Sequence, residues 1–306
     1  MLIRASIGTL AKLGLQSVKS MEEPFTAYFL QYSKTGCLGG CLYCTQSWRF
    51  FKGDWLGKMV WPSVELSEVL AAWRDVFERI CFQTVIKEKF IEEAVEFVRA
   101  IRGVSSRPLS LAITPVPAGI LEEFKRLGVD TLGVGLDTLT EELFVKWGKP
   151  YTWSLYWRFI ESGVRVFGRG NVYVHVIAGL GESLKEALET LVKIYSTGAR
   201  VALFNYFDPA SRRSIDKGYY RILQIAVELL ESGENPLEYI DVDSHRFRRK
   251  PRVDFYRDLQ TRGCPGCNRP FYTELPSSIY NYPSLSLLRE QWGRVREELE
   301  SIGVRA

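Results

Sequence analysis

With 306 residues, 46% apolar and 25% charged, the chain has the make-up of an ordinary globular protein with material for one continuous core. Its 40 basic and 36 acidic side chains leave a net charge of +4, which argues against nucleic acid or another strong polyanion as a partner. No apolar run approaches the ~20 residues of a membrane helix, and the N-terminus, broken by Arg4, Lys12 and Lys19, lacks the apolar centre of a secretory signal. The expectation is a cytoplasmic protein without membrane association.

Residues 1–24 read as an amphipathic helical segment. From Phe25 onward strand-like and helix-like runs alternate. FTAYFLQY is followed at once by three cysteines, then by a helical pattern from Val64. CFQTVI precedes the helix IEEAVEFVRAIRG, and LSLAITPV precedes PAGILEEFKRLGV. TLGVGLDT leads into LTEELFVKWG, where Thr140 is placed to cap the helix, and YTWSLYWRFIESG follows. NVYVHVIAGLGE precedes SLKEALETLVKIYSTG, and VALFNYFDPA precedes GYYRILQIAVELLESG. These are about six strand–helix units of the length βαβ crossovers need. Their continuously apolar strands suit a sheet covered on both faces. The fold class is α/β, a parallel barrel or open sheet over residues 25–233, with ligands expected at the C-terminal strand ends. Residues 234–306 form an aromatic, charged extension with CPGC at its centre and one last helix, SLSLLREQWGRVREELES.

Six cysteines without a signal sequence do not suggest a disulfide framework. Cys37, Cys41 and Cys44 fall within eight residues, in a loop that Gly36, Gly39 and Gly40 allow to curl tightly. Three thiolates can hold three corners of an iron–sulfur cube and leave the fourth iron open. Zinc prefers four protein ligands and CxxC pairs, which this loop serves poorly. Cys81, Cys264 and Cys267 make a second set of three. Cys81 alone reads as a buried apolar thiol, and CPGC as half of a zinc site completed by groups such as Cys81 and His245. The sharper reading is an auxiliary iron–sulfur cluster held by all three.

The spacing CxxxCxΦC, with Tyr43 at Φ, resembles the signature of the radical S-adenosylmethionine (SAM) superfamily. The resemblance implies a partial parallel (β/α)6 barrel over residues 25–233, with an N-terminal helical segment and a C-terminal extension over the barrel mouth. It also implies a 4Fe–4S cluster on Cys37, Cys41 and Cys44 that binds SAM, and a 5′-deoxyadenosyl radical that takes a hydrogen atom from substrate. GLDT at 135–138 resembles the NLDT segment of biotin synthase, so Asp137 is a candidate for the SAM ribose and, alternatively, a helix N-cap. IAGLGE at 177–182 resembles a segment of biotin and lipoyl synthases, which makes Gly179 and Glu182 cofactor-binding candidates. Arg169 and His175, which flank the same strand, are candidates for the SAM carboxylate. The tail RGCPGCNRPFYTELPSSIYNYP resembles two-component lipoyl synthases, paired radical SAM proteins that each insert one sulfur into an octanoyl chain on a carrier protein. That likeness implies a sulfur-donating second cluster, with Ser278 (or Ser277) as its fourth ligand. It also implies three partners: a lipoyl carrier domain bearing octanoyl-lysine, a paralogous radical SAM subunit and an electron donor such as ferredoxin. Competing readings are an auxiliary cluster that only relays electrons, a biotin-synthase-like enzyme on another substrate, and a non-enzymatic scaffold.

Overall fold

A computed structural model describes residues 1–18, 22–207, 215–274 and 277–305. The chain begins with a strand, β1 (Leu2–Ala5), and a short helix, α1 (Ile7–Lys12), rather than a single amphipathic helix. Four residues give too short a pattern to read as a strand, and β1 exists because it pairs antiparallel with two distant partners. Next come β2 (Thr26–Gln31), a small hairpin of β3 (Trp55–Leu56) and β4 (Met59–Val60), β5 (Ser63–Glu65) and α2 (Leu66–Ala71). The helix from Val64 therefore stops early, and the chain turns into β6 (Arg79–Gln83).

The alternation then follows the sequence: α3 (Phe90–Arg102), β7 (Leu109–Ala112), α4 (Ala118–Arg126), β8 (Thr131–Asp137), α5 (Glu141–Lys146), α6 (Trp153–Phe167), β9 (Val172–Ala178), α7 (Leu184–Thr197), β10 (Arg200–Asn205) and α8 (Lys217–Glu231). Residues 208–210, the end of the strand expected from Val201, lie outside the described residues. A 3-10 turn at Pro236–Glu238 and the short pair β11 (Ile240–Asp241) and β12 (Arg246–Phe247) follow. Last come α9 (Phe255–Asp258), α10 (Leu285–Glu290) and α11 (Trp292–Ser301), so the final helix is two helices meeting at Gln291.

The main sheet runs β10-β9-β8-β7-β6-β2-β1-β5. Its six strands from β2 to β10 are parallel, and β1 and β5 add an antiparallel edge. This is the open, partial barrel of six βα units. Along each strand the side chains alternate. Ile80 and Phe82, Leu109 and Leu111, Leu132 and Val134, and Val172 and Val174 are all wholly buried beneath the helices. α3 presents Ala94, Phe97, Val98 and Ile101, the stripe of an amphipathic helix, and Phe97 stacks on Phe82 with ring centroids 3.9 Å apart. The opposite residues, Cys81, Gln83, Gly135, Asp137, His175, Ile177 and Phe204 among them, face the lumen. The strands are thus not uniformly apolar: one side builds the core and the other carries polar chemistry.

The C-terminal extension closes the barrel along its open side instead of lying only across the mouth. Arg262 pairs with Glu228 of α8 and with Asp258, which anchors the segment at the N-terminal strand ends. From there it rises between β2 and β10. Thr26 at the start of β2 donates to the Gly266 carbonyl (3.0 Å). Arg269 donates to the Leu203 carbonyl of β10 (3.0 Å), and Thr273 donates to Asn205 at the end of β10 (2.8 Å). Among the described residues no helix is long and apolar enough to cross a membrane.

Candidate active site

The cysteine triplet sits at the C-terminal strand ends, as the βα topology requires. The Leu38 amide donates to the Ile86 carbonyl (2.8 Å), and the Leu42 amide to that of Trp147 (2.9 Å), so the loop is stitched to the connections after β6 and α5. Cys37 Sγ accepts from the amides of Gly39 (3.3 Å) and Ile86 (3.2 Å). All six cysteines are free thiols. Burial, then the neighbouring Cys41, pushes Cys44 up to about 12. Burial likewise raises Cys41. Crowded buried thiols of this kind need a cationic centre to become thiolates. The donor set therefore fits an iron–sulfur cluster, with amide donors already aimed at one sulfur.

Tyr43 is fixed from two sides. Its hydroxyl donates to Asp137 Oδ2 (2.5 Å), and its ring meets Trp147 edge-on at 6.0 Å. Asp137 is held at φ +66, where β8 bulges so that Gly135 and Asp137 face consecutive residues of β9. The bulge turns the carboxylate into the lumen. Asp137 is not a helix cap: Thr140 caps α5 by accepting from the Leu143 amide (3.1 Å). Lys149, which sequence reasoning missed, donates to Asp137 Oδ2 and to the Gly135 carbonyl, both at 2.6 Å. Burial alone would lower the Lys149 pKa, but Asp137 holds it above the ordinary range. No local signal marks Lys149, because it reaches Asp137 around a helix.

Three expected cofactor ligands do not line the cavity. Glu182 folds back on its own turn, accepting from the amides of Gly179 (2.5 Å), Leu180 (3.0 Å) and Gly181 (3.1 Å) and from the Tyr219 hydroxyl (2.9 Å). Four donors fill the acceptor sites of one carboxylate, so Glu182 builds the turn and has nothing left for a ligand. Gly179 serves the same turn: it sits at φ +96, and a Cβ there would lie 1.8 Å from Ile215. Arg169 lies at the opposite end of β9, against Gly198, because it precedes the strand. His175 does face the lumen, edge-on to Phe204 at 5.5 Å. Burial lowers its pKa to about 4, so the ring is neutral.

Cys81, Cys264 and Cys267 line the same cavity of about 1070 Å³ as the triplet. They lie at the other end of the lumen, near the strand starts. Burial, then Cys264 and Cys267, raises the Cys81 pKa. Burial, then Cys267, pushes Cys264 up to about 12. Cys267 Sγ accepts from the Tyr28 hydroxyl (3.3 Å). Among the described residues no three His, Cys, Asp or Glu side chains converge on one point as a single metal ion needs. Ser278 does not line the cavity, and the neighbouring Ser277 carbonyl accepts from Arg294 (3.1 Å); the chain has turned away towards α11. His245 is exposed beside Tyr219, remote from the thiols. Tyr272 is half-buried and lines the same cavity; desolvation, then Cys44, raises its hydroxyl, and Cys81 adds to the effect.

Solved structures are similar to the chain, three of them as follows. One is the FeFe-hydrogenase maturase HydG, at 12% identity and TM-score 0.53 over 66% of this chain and 49% of that one. Another is HydG from Carboxydothermus hydrogenoformans, at 14% and 0.53 over 67% and 51%. The third is methylornithine synthase (PylB), at 15% and 0.53 over 69% and 64%. Likeness at these identities shows a shared fold, and the chain spans between 49% and 64% of the length of those structures. No curated protein matches. Residues 33–194, more than half of the sequence and including the triplet, Asp137 and Lys149, match the Radical SAM superfamily, and the chain belongs to that superfamily.

Proposed function

We propose that this radical SAM enzyme inserts sulfur into an unactivated C–H bond of a protein-bound octanoyl chain, as one component of a two-protein lipoyl synthase. The observation that supports the reading is the second thiol set, Cys81, Cys264 and Cys267, opening into the same cavity as the triplet. When bound, the triplet cluster and SAM supply a hydrogen-abstracting radical. Cys37, Cys41 and Cys44 hold that cluster, and Tyr43, Asp137 and Lys149 fix its loop against the barrel rim. The second set holds the auxiliary cluster that donates sulfur. Leu30, Val85, Ile113 and Ile177 give the cavity apolar walls suited to an alkyl chain. The partners are a lipoyl carrier domain bearing octanoyl-lysine, a paralogous subunit and an electron donor such as ferredoxin.

The effect of both Cys44 and Cys81 on Tyr272 favours a second reading, in which the auxiliary cluster relays electrons. An anaerobic reaction of the reconstituted chain with an octanoyl-lysine peptide, SAM and reductant separates them. Sulfur insertion predicts 5′-deoxyadenosine, a sulfur-bearing peptide by mass spectrometry and loss of sulfide from the protein. Cys81→Ala, Cys264→Ala and Cys267→Ala should each keep 5′-deoxyadenosine formation and lose sulfur incorporation. Turnover with every sulfide retained would replace the first reading with the second.

A further inference from the structure

Arg269 lies in the lumen without an anion. Its Nη2 donates to the carbonyls of Leu203 (3.0 Å) and Arg262 (2.6 Å), and its guanidinium lies 3.6 Å from the centre of the Phe204 ring. Nε and Nη1 are buried with no hydrogen-bond partner, and no carboxylate pairs with Arg269 among the described residues. Of the other cations that line the cavity, Lys149 is matched by Asp137 and Arg79 by Asp130. Burying an arginine with two unused donors is costly unless something present in the working protein accepts them.

The orphaned Nε lies near Cys267 of the second thiol set. A Cβ placed on Gly263 would lie 3.1 Å from Cys267 Sγ and 3.8 Å from Arg269 Nε, so the two atoms flank one point. The Tyr28 hydroxyl ties them together, donating to Cys267 Sγ (3.3 Å) and accepting from the Arg269 amide (2.9 Å). The backbone of Arg269 is held at φ +36, a conformation strained for a non-glycine residue.

We propose that Arg269 is the counter-cation of an iron–sulfur cluster on Cys81, Cys264 and Cys267, its free N–H groups donating to the sulfurs of that cluster. The inference rests on the auxiliary-cluster reading and adds a residue that tunes the cluster. A fixed positive charge stabilises the reduced, more negative state and so raises the reduction potential.

The test uses the full chain with Cys37→Ala, Cys41→Ala and Cys44→Ala, so that only the second set can hold iron. After anaerobic reconstitution, iron and sulfide are counted and the cluster is titrated potentiometrically by electron paramagnetic resonance. Arg269→Gln should shift the redox equilibrium about tenfold towards the oxidised form, ~59 mV for one electron, with Arg269→Lys in between. Arg269→Met, which keeps an apolar stem over Phe204, repeats the measurement if the Gln variant does not fold. Iron bound with an unchanged potential overturns the role of Arg269 alone. An unchanged potential with weakened peptide binding assigns the missing anion to the substrate and overturns it equally. A background protein that binds no iron overturns the auxiliary cluster itself, and this inference with it.

Discussion

The hydroxyl of Tyr43 donates to Oδ2 of Asp137 at 2.5 Å, and this one bond joins the cysteine loop after β2 to the end of β8, three strands away in the sheet. Lys149 completes the arrangement from below the same carboxylate oxygen. A loop that must present three thiols to one cluster is thereby fixed to the rigid rim, while Gly36 and Gly40 at positive φ let it curl.

Asp137 has two separable roles. Its carboxylate neutralises Lys149, which is only 5% exposed, and its backbone occupies φ +66. Asp137→Gly and Asp137→Ala both strand the buried ammonium, at a cost of about 3–5 kcal/mol. Alanine adds roughly 1 kcal/mol for a Cβ in the left-handed region. Denaturant midpoints should rank wild type above Asp137→Gly and Asp137→Ala lowest, with SAM cleavage reduced in both. Equal stability of the two variants would count against the strained backbone.

Glu182 should behave as a structural residue. Glu182→Ala leaves the amides of Gly179, Leu180 and Gly181 without their shared acceptor. Hydrogen bonds to a charged group are worth about 1.5–3 kcal/mol each, so a stability loss of about 2 kcal/mol or more is expected by thermal melting, with SAM affinity little changed by calorimetry. The reverse pattern, weakened SAM binding at full stability, would return Glu182 to the ligand set.

His175 gives the fold a pH dependence of known sign. Burial lowers its folded pKa to about 4 from 6.5. Between those values the unfolded chain binds a proton that the folded chain refuses. The contribution is therefore complete above about pH 6.5 and lost as pH falls towards 4, on the order of 3 kcal/mol in all. The metal-free His175→Phe protein should lack this part of the acid destabilisation in denaturant titrations across that window. Parallel curves for wild type and variant would mean the ring is not shielded as the structure has it.

Features that depend on local spacing are legible in the chain. CxxxCxΦC fits one cluster because neighbouring thiols in a tight loop can reach only one. The six βα units were legible because amphipathic helices and short apolar strands announce themselves within a few residues, down to Thr140 as the cap of α5. Asp137 was placed at a strand end for the same reason. What the tertiary structure alone decided involves groups far apart in the chain. That Cys81, Cys264 and Cys267 open into one cavity depends on the extension rising between β2 and β10. Lys149 and Arg269 matter because their polar atoms are buried, the first beside a carboxylate and the second near a thiol. Glu182 and Arg169 carried the right residue type, yet hydrogen bonding consumed one and strand direction removed the other. Pairing and desolvation are settled by which surfaces meet, and no local periodicity encodes that.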